Sequence, residues 1–140
     1  MTMTVADPSA AGWKQRELPG FIGSVGPLWT KKENDAWAYA IVSKPEHTNP
    51  AGIVHGGLLM TLLDHALSAI AWEDAGRKPC VTIQIDVRFL ATVPVEKLME
   101  ARGRVVRRTT TLSFAEGTLT VDQEIVVTAS AVLKILNGAG

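Results

Sequence analysis

Cysteine occurs once in the 140 residues, as Cys80, so no internal disulfide is available and no Cys/His spacing of a zinc site accompanies it. Charge of one sign is not in excess either. Fourteen Lys and Arg offset fourteen Asp and Glu, which removes the electrostatic footprint of a nucleic-acid or anionic-membrane binder. Long hydrophobic runs are missing: no segment reaches the ~18 uninterrupted apolar residues of a membrane span. The opening MTMTVADPSAAG shows no basic n-region followed by an apolar h-region. From these absences we expect a small, weakly charged partner, no metal, no nucleic acid, no membrane and a cytoplasmic setting that keeps the thiol reduced.

What is present fits one globular domain. The chain is 46% hydrophobic and 20% charged, and its length leaves no room for a separate cofactor-binding module. Residues 1–12 are small and polar and are expected to be flexible, leaving 13–140 as the domain. Two apolar runs, FIGSVGPLW and AWAYAIV, flank KKEND, whose Asn34 and Asp35 suit a turn between antiparallel strands. Pro45, Pro50 and Gly52 in SKPEHTNPAGIV predict a loop.

From Gly56 to Trp72 apolar residues point in nearly every direction of a 3.6-residue period, as in a buried helix that Gly76 and Pro79 end. The following CVTIQIDVRFL alternates, with Val81, Ile83, Ile85, Val87 and Phe89 opposite Thr82, Gln84, Asp86 and Arg88. Strands are expected at about 97–108, 111–121 and 124–136. A parity change between Phe114 and Leu119 predicts a bulge near Glu116 and Gly117. The order is two strands, one helix and four strands: an α+β fold in which a curved antiparallel sheet wraps one long buried helix. Its free sheet edge invites a second chain.

Within HGGLLMTLLDHA the carboxylate of Asp64 interrupts an apolar helix, where an unpartnered charge is costly. Thr61 and Ser68, at i−3 and i+4, continue a polar stripe that runs back to Gly57. This arrangement reads equally as a structural acid bonded to nearby hydroxyls. The helix start tips the balance, because two glycines after His55 let a substrate approach N–H groups that have no intrahelical acceptor and sit at the positive end of the dipole. Such a start suits a developing oxyanion. Gly56 and Asp64 are eight residues apart, a rise of roughly 12 Å, whereas a reacting carbonyl and its water need partners within about 3 Å. A helix from a second chain, antiparallel across a twofold axis, would bring the acid to the amide.

The combination N-P-A-G-I-V-H-G-G with an acid nine positions after the histidine resembles the hotdog-fold acyl-CoA thioesterases, in particular the phenylacetate-degradation (PaaI-like) branch, over about residues 21–136. The resemblance implies that Gly56 donates its N–H to the thioester carbonyl. Asn49 and His55 would shape that end, and Asp64 of the partner chain would serve as base on water or as nucleophile. Thr82 matches a Ser/Thr position that orients the water, and also reads as an ordinary outward threonine. Gly57, Thr61 and Ser68 are the expected substrate-contacting residues. The substrate implied is an aromatic (phenylacetyl- or hydroxybenzoyl-type) or medium-chain acyl-CoA, with no cofactor because CoA belongs to the substrate. The assembly implied is a homodimer with shared sites, paired again into a tetramer. An enoyl-thioester hydratase or dehydratase and a non-catalytic acyl-CoA-binding protein are the alternatives on this scaffold.

Other residues are weaker candidates. His65 points about 100° away from Asp64 around the helix and reads as a packed or interface residue. His47 matches a recurrent family position and reads as a solvent-facing loop histidine. Arg102, Arg104, Arg107 and Arg108 are placed to meet CoA phosphates or to form a solvated strand face. Trp13, Trp29, Trp37 and Trp72 read as packing residues.

Overall fold

The computed structural model describes residues 7–137. Its centre is helix α2, Gly56–Asp74. His55 stands at its N-cap in extended geometry, with Nδ1 accepting the Gly57 N–H. At the other end Gly76, at φ 70°, supplies the left-handed residue that turns the chain away. Leu58, Leu59, Leu62, Leu63, Ala66, Leu67 and Ala71 are buried. Each buried leucine contributes about 1.5–3 kcal/mol. Met60 and Trp72 are exposed, and Thr61, Asp64, His65, Ser68 and Ala69 are half-buried. The helix is therefore covered on the sheet side and open along one strip, not enclosed all round.

Seven antiparallel strands form one sheet: β1 (Lys14–Arg16), β2 (Leu28–Glu33), β3 (Ala36–Val42), β4 (Cys80–Phe89), β5 (Leu98–Arg108), β6 (Leu112–Val121) and β7 (Glu124–Ile135). Their order is β1-β2-β3-β5-β6-β7-β4, so β4, which follows α2 in the chain, is an edge. The expectation of six strands missed β1, a three-residue strand too short to show a period. It also took FIGSV for strand, whereas Gly20–Val25 is a short helix, α1. Ile22 and Val25, three residues apart, share the face that packs on the core, while Phe21 is exposed. The turn at Asn34 is as expected, with φ 57°.

No bulge lies at Glu116 and Gly117, which pair in register with Arg104 and Gly103. Ser113, Ala115, Leu119 and Val121 share the buried face, so Phe114 belongs to the outer one. The irregularities fall instead at Val106, at Val126 and at Ile83. The bulge at Val126 leaves Ile125 exposed while Val127 through Ile135 alternate inward. Gly103 and Gly117 face each other beneath the helix: a Cβ on Gly103 would stand 2.7 Å from Leu67 Cδ2, and one on Gly117 3.0 Å from it. Bare backbone there lets Leu67 settle onto the sheet.

A small second cluster of Trp13, Ala38 and Ala40, joined by Trp29 and Leu98, packs on the outer side of β2 and β3. Of the segment expected to be flexible, residues 1–6 lie outside the described residues. Pro8–Ala11 forms a 3-10 turn, with the Asp7 side chain accepting the Ser9 N–H.

Candidate active site

The start of α2 is held by the loop before it. His47, buried and not solvent-facing, accepts the Lys44 N–H at Nδ1 (3.1 Å) and donates from Nε2 to the Val25 carbonyl (2.7 Å). This pair of partners fixes the neutral tautomer. Burial pushes its pKa below the ordinary imidazole value. The His47 carbonyl in turn accepts the His55 N–H at 2.8 Å. Asn49 turns the loop, with Oδ1 accepting the Ala51 N–H (2.9 Å) and the Ile53 N–H (3.4 Å). Gly52, at φ 84°, closes that turn.

An inventory of the first helical amides isolates one. The Gly57 N–H goes to His55 Nδ1, and those of Leu58 and Leu59 go to the His55 carbonyl. Among the described residues the Gly56 N–H has no acceptor. It is thus the amide left to meet a ligand at the positive end of the helix. With Nδ1 accepting, His55 carries its proton on Nε2.

Eight residues on, Asp64 Oδ1 accepts a 2.6 Å hydrogen bond from Thr82 Oγ1 on β4. Ser68 Oγ lies 3.4 Å from the same hydroxyl and is the donor of that pair, because the Thr82 proton is committed to Asp64. Strict alternation would have turned Thr82 to the outer face. The bulge at Ile83 brings it onto the face of Ile85 and Val87, which pack against the core. Among the described residues Asp64 Oδ2 has no partner. Thr61 does not reach Asp64; its hydroxyl bonds back to the Gly57 carbonyl at 2.8 Å.

The structure thus joins Asp64, Ser68 and Thr82 in one cluster, and His55, Gly56 and Gly57 in another. Asn49 shapes the loop before the second. Gly56, Met60 and Asp64 follow an i, i+4, i+8 stripe, and both ends of that stripe meet β4. Asp64 meets it through Thr82, and Gly56 meets it through Phe89, whose ring lies 3.2 Å from where a Gly56 Cβ would stand. Phe89 was not among the residues singled out in the sequence; its odd-numbered parity with Ile85 and Val87 was the available signal.

Other candidates are occupied elsewhere. Arg102 is bidentate to Glu33 and bonded to Glu100, Arg104 pairs with Glu116, and Arg108 pairs with Asp74. His65 packs edge-on to Tyr39, with ring centroids 6.1 Å apart. Burial lowers its pKa, opposed by the Asp64 charge. Burial, helped by the Glu73 charge, pushes the Tyr39 hydroxyl up to about 12. A cavity of about 450 Å³ lies beside Trp37, Tyr39 and Glu73, and another of about 470 Å³ lies on the outer face between Arg88 and Arg102. Neither touches Asp64 or Gly56; in a single chain that side of α2 is an open surface. Among the described residues no three His, Cys, Asp or Glu side chains cluster to hold a metal, and no helix is long and apolar enough to cross a membrane.

A curved antiparallel sheet around one long helix, with a free amide at the helix start and an acid two turns on, defines an α+β hotdog protein. The family described as the thioesterase superfamily matches residues 51–128. A Pseudomonas aeruginosa protein assigned as an esterase is 30% identical over 115 residues, spanning 79% of this chain and 84% of its own. The structure is similar to a phenylacetic acid degradation-related thioesterase of Ralstonia eutropha (23% identity, TM-score 0.73, 81% of this chain and 88% of that one). It is also similar to a Bacillus halodurans protein crystallised with CoA (24% identity, TM-score 0.65, 71% and 66%). The chain belongs to the thioesterase superfamily, and is by that membership a thioester hydrolase.

Proposed function

We propose that the chain hydrolyses the thioester of an aromatic (phenylacetyl- or hydroxybenzoyl-type) or medium-chain acyl-CoA to the free acid and CoA. One observation carries the reading: the unshared Gly56 N–H and the Asp64 carboxylate lie on one helical stripe, and both face the edge strand β4. The amide stabilises the oxyanion as the carbonyl is attacked, and Asp64 acts on water, or on the carbonyl itself, through its free Oδ2. Thr82, backed by Ser68, holds Oδ1 and so aims the carboxylate. His55 fixes the helix start, and Asn49 shapes the loop before it. The C–S bond breaks with CoA leaving as its thiolate, so a base and an oxyanion donor suffice.

The two halves lie roughly 12 Å apart along α2, too far for one substrate. Val81, Ile83, Phe89 and Leu90, at and just beyond the unpaired edge of β4, are 50–58% exposed. Such an edge invites self-pairing. If two β4 strands pair antiparallel across the middle of the strand, the Phe89 end of one lies near the Thr82 end of the other, and the Gly56 end of one helix approaches the Asp64 end of its neighbour. We therefore propose a homodimer with two shared sites, doubled into a tetramer, and a cytoplasmic setting that suits the lone thiol.

The test is thiol release from phenylacetyl-, 4-hydroxybenzoyl-, hexanoyl- and decanoyl-CoA, with Asp64→Asn beside wild type. Turnover of at least one substrate and its loss in the variant is the expected result. No turnover by wild type, or full turnover by Asp64→Asn, overturns the reading.

A further inference from the structure

The apolar surface between donor and acid is unexplained by the chemistry alone. Phe89 is half exposed, yet three of its ring atoms lie 3.2, 3.3 and 3.7 Å from the place a Cβ would take on Gly56. Its backbone is fixed on both sides: Phe89 pairs with Val127, and the Leu90 N–H donates to the Val126 carbonyl at 2.8 Å. An aromatic ring with half its surface open adds little to a core. Here it stands as a flat apolar wall beside the one unshared amide of the helix start. Met60, also exposed, follows Gly56 by one turn on the same stripe and continues the apolar surface toward Asp64.

We propose that Phe89 is a specificity-determining residue that selects acyl groups by the bulk on the carbon next to the thioester carbonyl. The inference rests on the thioesterase reading and deepens it. A carbonyl oxygen within hydrogen-bond distance of the Gly56 N–H puts its α-carbon beside the Phe89 ring. A methylene there lies flat against the wall. A branch, or an aromatic ring joined directly to the carbonyl, meets the wall edge-on and pushes the oxygen off the amide. The wall thus favours phenylacetyl over benzoyl groups and straight over α-branched chains. Beyond that carbon, Met60 offers a pliant apolar surface that sorts chain length weakly.

The experiment measures kcat/KM for two pairs, phenylacetyl- with benzoyl-CoA and butanoyl- with isobutanoyl-CoA, on wild type, Phe89→Ala, Phe89→Leu and Phe89→Tyr. A ratio between two substrates does not depend on the fraction of folded enzyme, so partial misfolding of a variant cannot mimic the effect. Wild type is expected to favour the unbranched member of each pair. Phe89→Ala should narrow both ratios about tenfold, the scale on which shape alone discriminates in an apolar pocket. Phe89→Leu should fall between, and Phe89→Tyr should keep the wild-type ratios. Active wild type whose ratios are unchanged in Phe89→Ala overturns this inference and leaves the thioesterase reading intact. Wild type inactive on these four yet active on 4-hydroxybenzoyl-, hexanoyl- or decanoyl-CoA overturns this inference alone, and wild type inactive on all of them overturns both.

Discussion

Thr82 Oγ1 donates to Asp64 Oδ1 at 2.6 Å across the gap between β4 and α2, from a position that simple alternation assigns to the opposite face. The bulge at Ile83 makes this contact possible. A hydrogen bond this short between a hydroxyl and a carboxylate is of the charge-assisted kind. It fixes one carboxylate oxygen and leaves the other without a partner among the described residues. Replacing Thr82 by Val should keep the shape of the strand while freeing the carboxylate to rotate. We expect kcat to fall about tenfold with little change in KM, against a loss of 10²–10⁴-fold in Asp64→Asn, the range for removing a general base. A rate for Thr82→Val equal to wild type in the thiol-release assay would remove it from the site.

Gly56 can be tested by a substitution that removes its N–H, with Gly56→Ala, which adds the same Cβ 3.2 Å from the Phe89 ring but keeps the N–H, as the control. It occupies the first helical position, where proline is tolerated, and His55 before it has φ −62° and ψ 134°, values that suit a residue preceding proline. Gly56→Pro should form the helix and lose 10²–10³-fold in kcat. Unchanged kcat, with the helix intact by circular dichroism, would place the oxyanion elsewhere.

The proposed shared sites make a sharper demand. When Gly56→Pro and Asp64→Asn chains are mixed and allowed to exchange, each heterodimer contains one site with both groups intact. About a quarter of wild-type activity should return, from random pairing of equal amounts. Mixtures no more active than the two variants separately would rule out the partner-supplied acid.

The pH dependence of stability follows from the buried histidines. His47 and His65 both have folded-state values pushed below the ordinary 6.5 by burial, so the unfolded chain takes up their protons first. Their contribution is complete above about pH 6.5 and is lost as pH falls through the folded values. Protonation of His47 would also break its bond from the Lys44 N–H. Urea midpoints should decline from pH 7.5 to 5.5. The decline should be shallower in His47→Gln, although that variant starts lower; an equal slope would assign the effect to other groups.

Beneath the helix, Gly117→Ala should cost about 1–3 kcal/mol, the range for overpacking, because the new methyl would meet Arg102 O at 2.7 Å and Leu67 Cδ2 at 3.0 Å. Denaturant unfolding of the variant beside wild type reads this directly. The paired change Gly117→Ala with Leu67→Ala should recover part of the Leu67 contact strain, although not the backbone clash.

The elements with a long period were legible in the sequence: the α2 boundaries, the turn at Asn34 and strands β5 to β7 all follow from spacing and breakers. FIGSV misled because five residues with two glycines nearby suit a strand or a helical turn equally, and packing of Ile22 and Val25 on the core decided it. The acid in an apolar helix drew attention to Asp64, the two glycines after His55 drew it to the helix start, and the structure places those residues at the two ends of one stripe on α2. Thr82 and Phe89 were harder. One depends on a bulge that no residue type announces, and the other on which strand end comes to rest at the helix start. His47 was misjudged because a loop residue's burial depends on the segment folded over it, here the Val25 carbonyl.

β4 has a role apart from pairing. It touches the acid end of α2 at Thr82 and the amide end at Phe89, so its length is a ruler laid between the two halves of the proposed site. Deleting one residue between them would turn every later side chain to the wrong face. Deleting two would restore the faces yet shift one end by about 7 Å along the strand. The span from Thr82 to Phe89 is a measured distance.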